Sequence, residues 1–204
     1  MEFKSIISNF LYFLALINPI SKVFLLSTMD PPYSRKQLFV VAFRSTAVAL
    51  FILVLLSVAG HYILNTVFHI HIYSLKVAGG FILFIIGLTA VRRGKFYEES
   101  AMQHVTDISV VPLAAPLIAG PGTITAAISF ASLSGYPETI LCITLALLVN
   151  FLVMTVSRQI GSVLEKINMT GPLIRITGLI VTAVAVQMVL TGVQEWIFEV
   201  GRIS

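Results

Sequence analysis

The chain reads as an all-α polytopic membrane protein: six transmembrane helices forming two inverted three-helix repeats, with the first and fourth spans broken. Three observations predict this. Hydrophobic residues make up 57% and charged residues only 11% of the 204 positions, more apolar surface than a water-soluble core of this size needs. Six mostly apolar stretches, 5–28, 38–61, 70–91, 110–134, 137–160 and 171–194, match the roughly 20 residues that cross the hydrocarbon. Finally, proline-broken sites recur half a chain apart. Asn18-Pro19 interrupts the first stretch, and Gly120-Pro121-Gly122 interrupts the fourth 102 positions later.

A second pairing supports the repeat. Leu75-Lys76-Val77-Ala78-Gly79 opens the third stretch and Ile174-Arg175-Ile176-Thr177-Gly178 the sixth, at an offset of 99. Three spans per half turn the second copy upside down, and broken helices at matching places in inverted halves point to a transporter's midplane site. The chain is then one transmembrane domain, 1–204, with repeat one at 1–91, a cytoplasmic connection at 92–109 and repeat two at 110–204. The first stretch is too long for a signal core, contains Asn18-Pro19 and lacks a small-x-small cleavage site, so it reads as a retained span.

Charge sets the orientation. Arg35, Lys36, Arg92, Arg93, Lys95 and Lys166 fall in the first, third and fifth connections, with Lys22, Arg44, Arg158 and Arg175 near the adjoining span ends. The opposite side holds Lys4, Lys76 and Arg202. Ten against three of the 13 cations puts the odd connections in the cytoplasm and both termini in the periplasm of a bacterial inner membrane. The net charge of +4 suits the anionic inner leaflet and calls for no nucleic-acid partner. The charged connection from Arg92 to Ser109 reads as a solvated hinge between the halves.

The breaks carry the chemistry. Proline removes a backbone donor and clashes with the carbonyl four residues back, so Pro19 and Pro121 open their helices. Freed backbone groups at that depth must be buried in protein or face a wet cavity. Asn18 brings an amide to satisfy them or to hold a ligand. Gly120 and Gly122 allow close backbone approach, and Thr123, with Thr125, is placed to cap the restarting half-helix, whose N–H groups suit a carboxylate. The plainer alternative is a proline kink that shapes packing only. Lys76 and Arg175, each about a turn inside a span end, are either snorkelling anchors or flanking charges for the site.

Other polar residues narrow the function. All nine acids lie at span ends or in connections, so no carboxylate is expected at mid-membrane to relay protons. Asn150 and Gln187 read as hydrogen-bond glue between helices. This neutral lining favours a small neutral or zwitterionic solute. His61, His69 and His71 cluster in one connection without a Cys or acid to complete a metal site, and the single Cys142 rules out an internal disulfide. No metal or cofactor is expected. Without a P-loop, a G-x-S-x-G elbow or an H-E-x-x-H pair, neither ATP-driven transport nor an enzyme is expected.

At these motifs the chain resembles the MarC family of six-span bacterial inner-membrane proteins. The residues carrying the match are Asn18-Pro19-Ile20; Leu75 to Gly80 with Gly87; Val111-Pro112-Leu113-Ala114-Ala115-Pro116; Ala119-Gly120-Pro121-Gly122-Thr123-Ile124; and Arg175-Ile176-Thr177-Gly178 with Gln187 and Gly192. The likeness covers nearly the whole chain. Ile20-Ser21 departs from the glycine common in relatives, and Lys76 stands where some carry Arg, which loses bidentate geometry. The family is classed with six-span neutral amino acid transporters. The resemblance therefore implies a secondary carrier of alanine, glycine or serine, working by alternating access, with export among its directions. Asn18, Pro19, Gly120, Pro121, Gly122 and Thr123 would form its site, with Lys76 and Arg175 flanking it. The alternative is a non-transporting membrane scaffold or accessory protein. Its expected partners are the solute and membrane lipid.

Overall fold

Helix accounts for every regular element among the described residues, as a chain this apolar requires where water cannot satisfy the backbone. The computed structural model describes residues 3–27, 33–96 and 109–201. Asp30, Glu98, Glu99, Asp107 and most of the 92–109 connection lie outside the described residues.

The first span is two helices, α1 (Phe3–Ile17) and α2 (Pro19–Ser27), hinged at Asn18. α3 (Arg35–Tyr62) opens on a capping box: the Gln37 N–H donates to the Ser34 hydroxyl at 3.3 Å, and the Ser34 N–H donates to the Gln37 side chain at 2.8 Å. A π-helical turn, Ile63–Val67, extends it. α4 (Ile72–Arg93) stops at Gly94, whose φ of 67° closes the helix with an N–H to the Ala90 carbonyl at 2.9 Å.

The segment Ser109–Ile118 winds as a π-helix. Pro112 and Pro116 each lack the N–H that a regular α-helix directs four residues back. The following Ala119 N–H instead reaches five residues back, to the Ala114 carbonyl at 2.8 Å. After Gly120 come α5 (Pro121–Ser134), α6 (Tyr136–Thr155), α7 (Ser157–Lys166) and α8 (Thr170–Val200).

Five helical segments among the described residues are long and apolar enough to cross a membrane: Lys4–Ser27, Arg35–Val67, Ile72–Arg93, Tyr136–Thr155 and Thr170–Val200. The expected stretch 110–134 is not among them, because its break leaves two pieces, each too short to cross alone. The expected fifth stretch ends early, at Thr155, and α7 continues as a separate helix. Arg158, Gln159, Ser162, Glu165 and Lys166 recur too often there for a crossing segment. Ser157 and Gly161 form its buried seam against α2, while Val163 and Ile167 stay exposed.

α4 and α8 form the most extensive helix pair and run antiparallel. Tyr73 lies by Gly192, Gly80 by Ala185, and Gly87 by Gly178. Glycines let the two backbones approach this closely, which compensates for the missing hydrophobic drive between helices in lipid. Each helix is preceded by a left-handed residue, His69 (φ 55°) before α4 and Asn168 (φ 53°) before α8, again 99 positions apart. Phe51, Phe81, Ile85, Leu152, Leu179 and Leu190 are more than half exposed along the spans, as faces toward acyl chains would be.

The seam generates a prediction. A methyl group at Gly87 would come within 2.8 Å of the Thr182 nitrogen and 2.9 Å of the Gly178 carbonyl oxygen, both backbone, whereas one at Gly171 would meet nothing within 4 Å. Gly87→Ala is expected to destabilise the folded protein by about 1–3 kcal/mol, the usual cost of overpacking. Gly171→Ala is expected to be neutral. Thermal unfolding in detergent measures both.

Candidate functional site

The two breaks meet. A cavity of about 30 Å³ is lined from the first by Asn18, Ser21 and Lys22, from the second by Gly120, Pro121, Gly122 and Thr123, and closed by Leu83, Ile86, Val181 and Phe96. Of the eight residues expected to form the site, five line this space together. Pro19 sits just outside it, on an apolar groove of about 400 Å³ shared with Leu11, Val149 and Ile180.

Each break is held by local bonds of the same kind. Asn18 adopts φ 50°, a conformation its short polar side chain tolerates. Its carbonyl accepts the Ser21 hydroxyl at 2.7 Å and the Ser21 N–H at 3.1 Å, and its side-chain oxygen accepts that same N–H at 3.3 Å. At the second break the Gly120 N–H donates to the Thr123 hydroxyl oxygen at 2.8 Å. The single Thr123 O–H is shared between the Gly120 carbonyl at 2.9 Å and the Ile118 carbonyl at 2.7 Å. Ser21 and Thr123 thus make equivalent hydroxyl-to-carbonyl bonds at positions 102 apart. Thr125 takes no part in capping; its hydroxyl donates back to the Pro121 carbonyl at 2.8 Å. Glycine at 120 is required, since any Cβ would lie 2.5 Å from the Pro116 carbonyl oxygen.

Sequence reasoning missed the cation at the centre. Lys22, read as an interfacial residue near a span end, is 1% exposed. Its ammonium donates to the carbonyl of Ile17, the last residue of α1, and to that of Leu117, beside the end of the π-helix, at 2.8 Å. Two helix C-termini, each bearing partial negative charge, therefore converge on one lysine. An ammonium has three donors, and two are used here. The described lining residues include no carboxylate. The position 102 residues after Lys22 is Ile124, so the second break has no such cation. The signal available in the sequence was spacing: Lys22 follows Pro19 by three, which places it in the first turn after a break.

The two expected flanking charges lie elsewhere. Arg175 is exposed, and its guanidinium donates to the Val91 carbonyl at 2.7 Å, capping the end of α4. Lys76 is buried but pairs with Glu195 on α8 at 2.5 Å. It lines a second cavity, of about 220 Å³, with Tyr12, Thr125, Ser129, Phe130 and Gln187 among its other walls. Asn150 and Gln187 bond within their own helices, to the Met154 sulfur at 3.1 Å and the Thr191 hydroxyl at 3.3 Å, rather than bridging helices as expected. His71 faces Glu199 at 3.7 Å, while His61 is bonded to Asn65, so the histidines keep separate company. Glu138, also missed, is buried at the start of α6, where the Ser5 hydroxyl donates to it at 2.7 Å and the Asn9 amide at 3.1 Å.

Comparison with known proteins places the chain among integral membrane proteins. The MarC family of integral membrane proteins matches residues 3–197. The chain belongs to the MarC family. Among relatives, a UPF0056 membrane protein of Pyrococcus horikoshii is 33% identical over 93% of both chains. A UPF0056 membrane protein of Methanocaldococcus jannaschii is 34% identical over 95% of this chain and 98% of its own. The UPF0056 membrane protein YvbG of Bacillus subtilis is 31% identical over 95% and 96%. No solved structure matches. This MarC protein is accordingly a multi-pass integral membrane protein.

Two predictions test the break. Lys22→Met is expected to cost about 1–3 kcal/mol for each carbonyl it orphans, read as a lower unfolding midpoint in detergent. Asn18→Gly keeps the left-handed backbone and is expected to unfold near the native midpoint, whereas Asn18→Val forces a β-branched residue into φ 50° and is expected to lose about 1–2 kcal/mol or more.

Proposed function

We propose that this protein is a secondary transporter of small neutral amino acids, such as alanine, glycine or serine, working by alternating access. One observation carries the reading: breaks in matching positions of the two halves face each other across a single cavity, with Lys22 bonded to the helix end on each side. Half-helix ends converging from opposite directions are how inverted-repeat carriers build a midplane site. The spare donor on Lys22 and the N-termini of α2 and α5 suit a carboxylate. Membership of a family classed with six-span neutral amino acid transporters supports the same substrate class.

The reading needs six crossings, and parity favours them. Because α4 and α8 are antiparallel, an even number of crossings must separate them. α6 supplies one, so the π-helix and α5 together supply the other, as a discontinuous span. The offset of 99 between His69 and Asn168, equal to that between the Lys76 and Arg175 motifs, supports inverted repeats. The cation distribution orients the molecule with both termini in the periplasm and Lys95 in the cytoplasm of a bacterial inner membrane.

The transporter and scaffold readings separate in proteoliposomes. Purified protein is expected to catalyse counterflow of labelled alanine, glycine or serine. Gly122→Val, whose added atoms press on Leu83 and Leu16 at 3.0 and 3.3 Å, is expected to abolish it while the protein remains folded by size exclusion. No exchange of any neutral amino acid would favour the scaffold. In a background lacking Cys142, a cysteine at position 95 is expected to react with an impermeant maleimide only after the membrane is permeabilised; labelling in intact cells would reverse the topology.

A further inference from the structure

Lys76 and Glu195 lie on the α4–α8 seam, outside the cavity at the break, and that seam does not require an ion pair. Glycines set its spacing, Gly192 beside Tyr73 and Lys76 among them. The Lys76 side chain is 8% exposed and its partner 38%, so one ion is buried and the other opens on the 220 Å³ cavity. Removing ions from water is costly unless each is compensated, and here each compensates the other. The described walls carry no further charge. Apolar groups, Ala126, Phe130 and Met188, alternate with Ser129 and Thr191.

We propose that this cavity is an external docking site for a free α-amino acid, with Lys76 taking its carboxylate and Glu195 its ammonium. This rests on the transporter reading above. A ligand bearing a single charge leaves one of the two protein ions uncompensated. A ligand bearing both, one carbon apart, inserts between them, replaces one ion pair with two and adds no net charge to a buried space. The remaining walls accept a small apolar or hydroxyl side chain and give a third charge nothing to pair with, which selects neutral amino acids.

The location fits a station on the way to the break. Thr125, in the cavity wall, is one helical turn from Pro121 and Gly122, which line the inner space. Between them the backbone of Gly79 packs close to the Thr125 hydroxyl and the Met188 methyl. The Thr125 hydroxyl donates to the Pro121 carbonyl at 2.8 Å, so one hydrogen bond links a residue of the outer lining to a residue of the inner one. Tyr12 and Leu16 on α1, one turn apart, face the outer and the inner space in the same order.

Isothermal titration of the purified protein in detergent tests this with three isosteric probes: L-alanine, propionate and ethylamine. Alanine is expected to bind, and each single-charge probe to bind about tenfold more weakly or worse. Glu195→Gln and Lys76→Met are each expected to weaken alanine by a similar factor. The exchanged pair Lys76→Glu with Glu195→Lys restores the ion pair and is expected to recover part of the loss. The preference for alanine over propionate and ethylamine is the readout that a purely structural pair would not produce. Equal affinity for alanine and propionate, no binding of alanine, or an affinity indifferent to Glu195→Gln would overturn the site. So would binding of dihexanoyl-phosphatidylethanolamine that alanine fails to displace, since the pair would then hold a lipid headgroup. The wild-type comparison of probes stands even if a variant fails to fold. Counterflow keeps the two proposals apart. Exchange by wild type with unchanged alanine affinity in Glu195→Gln refutes this site alone, and binding through the pair without any exchange refutes the transporter reading alone.

Discussion

Two helix ends cannot point at each other inside a bilayer without something between them. Each C-terminus leaves carbonyls unpaired and carries partial negative charge, and lipid supplies neither a donor nor a counter-charge. The ammonium of Lys22 meets both needs, reaching Ile17 at the end of α1 and Leu117 near the end of the π-helix. The rest of the centre follows from that bridge. Asn18 must turn left-handed to aim α2 away from α1, Gly120 must lack a side chain to let the chain pass the Pro116 carbonyl, and Ser21 and Thr123 must return their hydroxyls to the carbonyls at each break.

A broken centre needs a rigid frame, which α4 and α8 provide. Both are unbroken, and their glycines bring backbone to backbone along most of their length. The broken spans pack differently, through larger side chains such as Phe13 and Tyr12 against Phe130. Aromatic contact is not confined to them, since Phe39 on α3 meets Phe151 on α6 edge to face.

Much of this was legible in the sequence, and the exceptions have physical causes. Proline and glycine act through the backbone alone, so the breaks at Asn18-Pro19 and Gly120-Pro121 could be placed from residue identity. Lysine acts through a long side chain whose direction depends on its neighbours. Lys22 therefore counted only as a charge near a span end although it turns inward, and Arg175, read as either an anchor or a site charge, caps α4. Lys76, read as either a snorkelling anchor or a flanking charge, is buried against a partner, Glu195, that lies 119 residues away. The π-helix was hidden for another reason. Pro112 and Pro116 announce an irregularity, but which carbonyl the next free N–H will choose depends on how the widened turn packs. The end of α6 and the start of α7 were blurred because apolar residues persist across Thr155, and only the polar residues that follow mark the change.

The lone lysine also bears on symmetry. In a carrier, inverted halves of identical sequence would make the inward and outward arrangements equal in energy and related by a two-fold rotation, with the resting population split evenly between them. Lys22 has Ile124 as its counterpart, so exchanging the roles of the two halves does not reproduce the same set of contacts. Lys22 lifts the degeneracy together with other unmatched pairs, Asn18 against Gly120 among them. A carrier built in this way would have a preferred orientation at rest, with part of that preference written into one half of the chain.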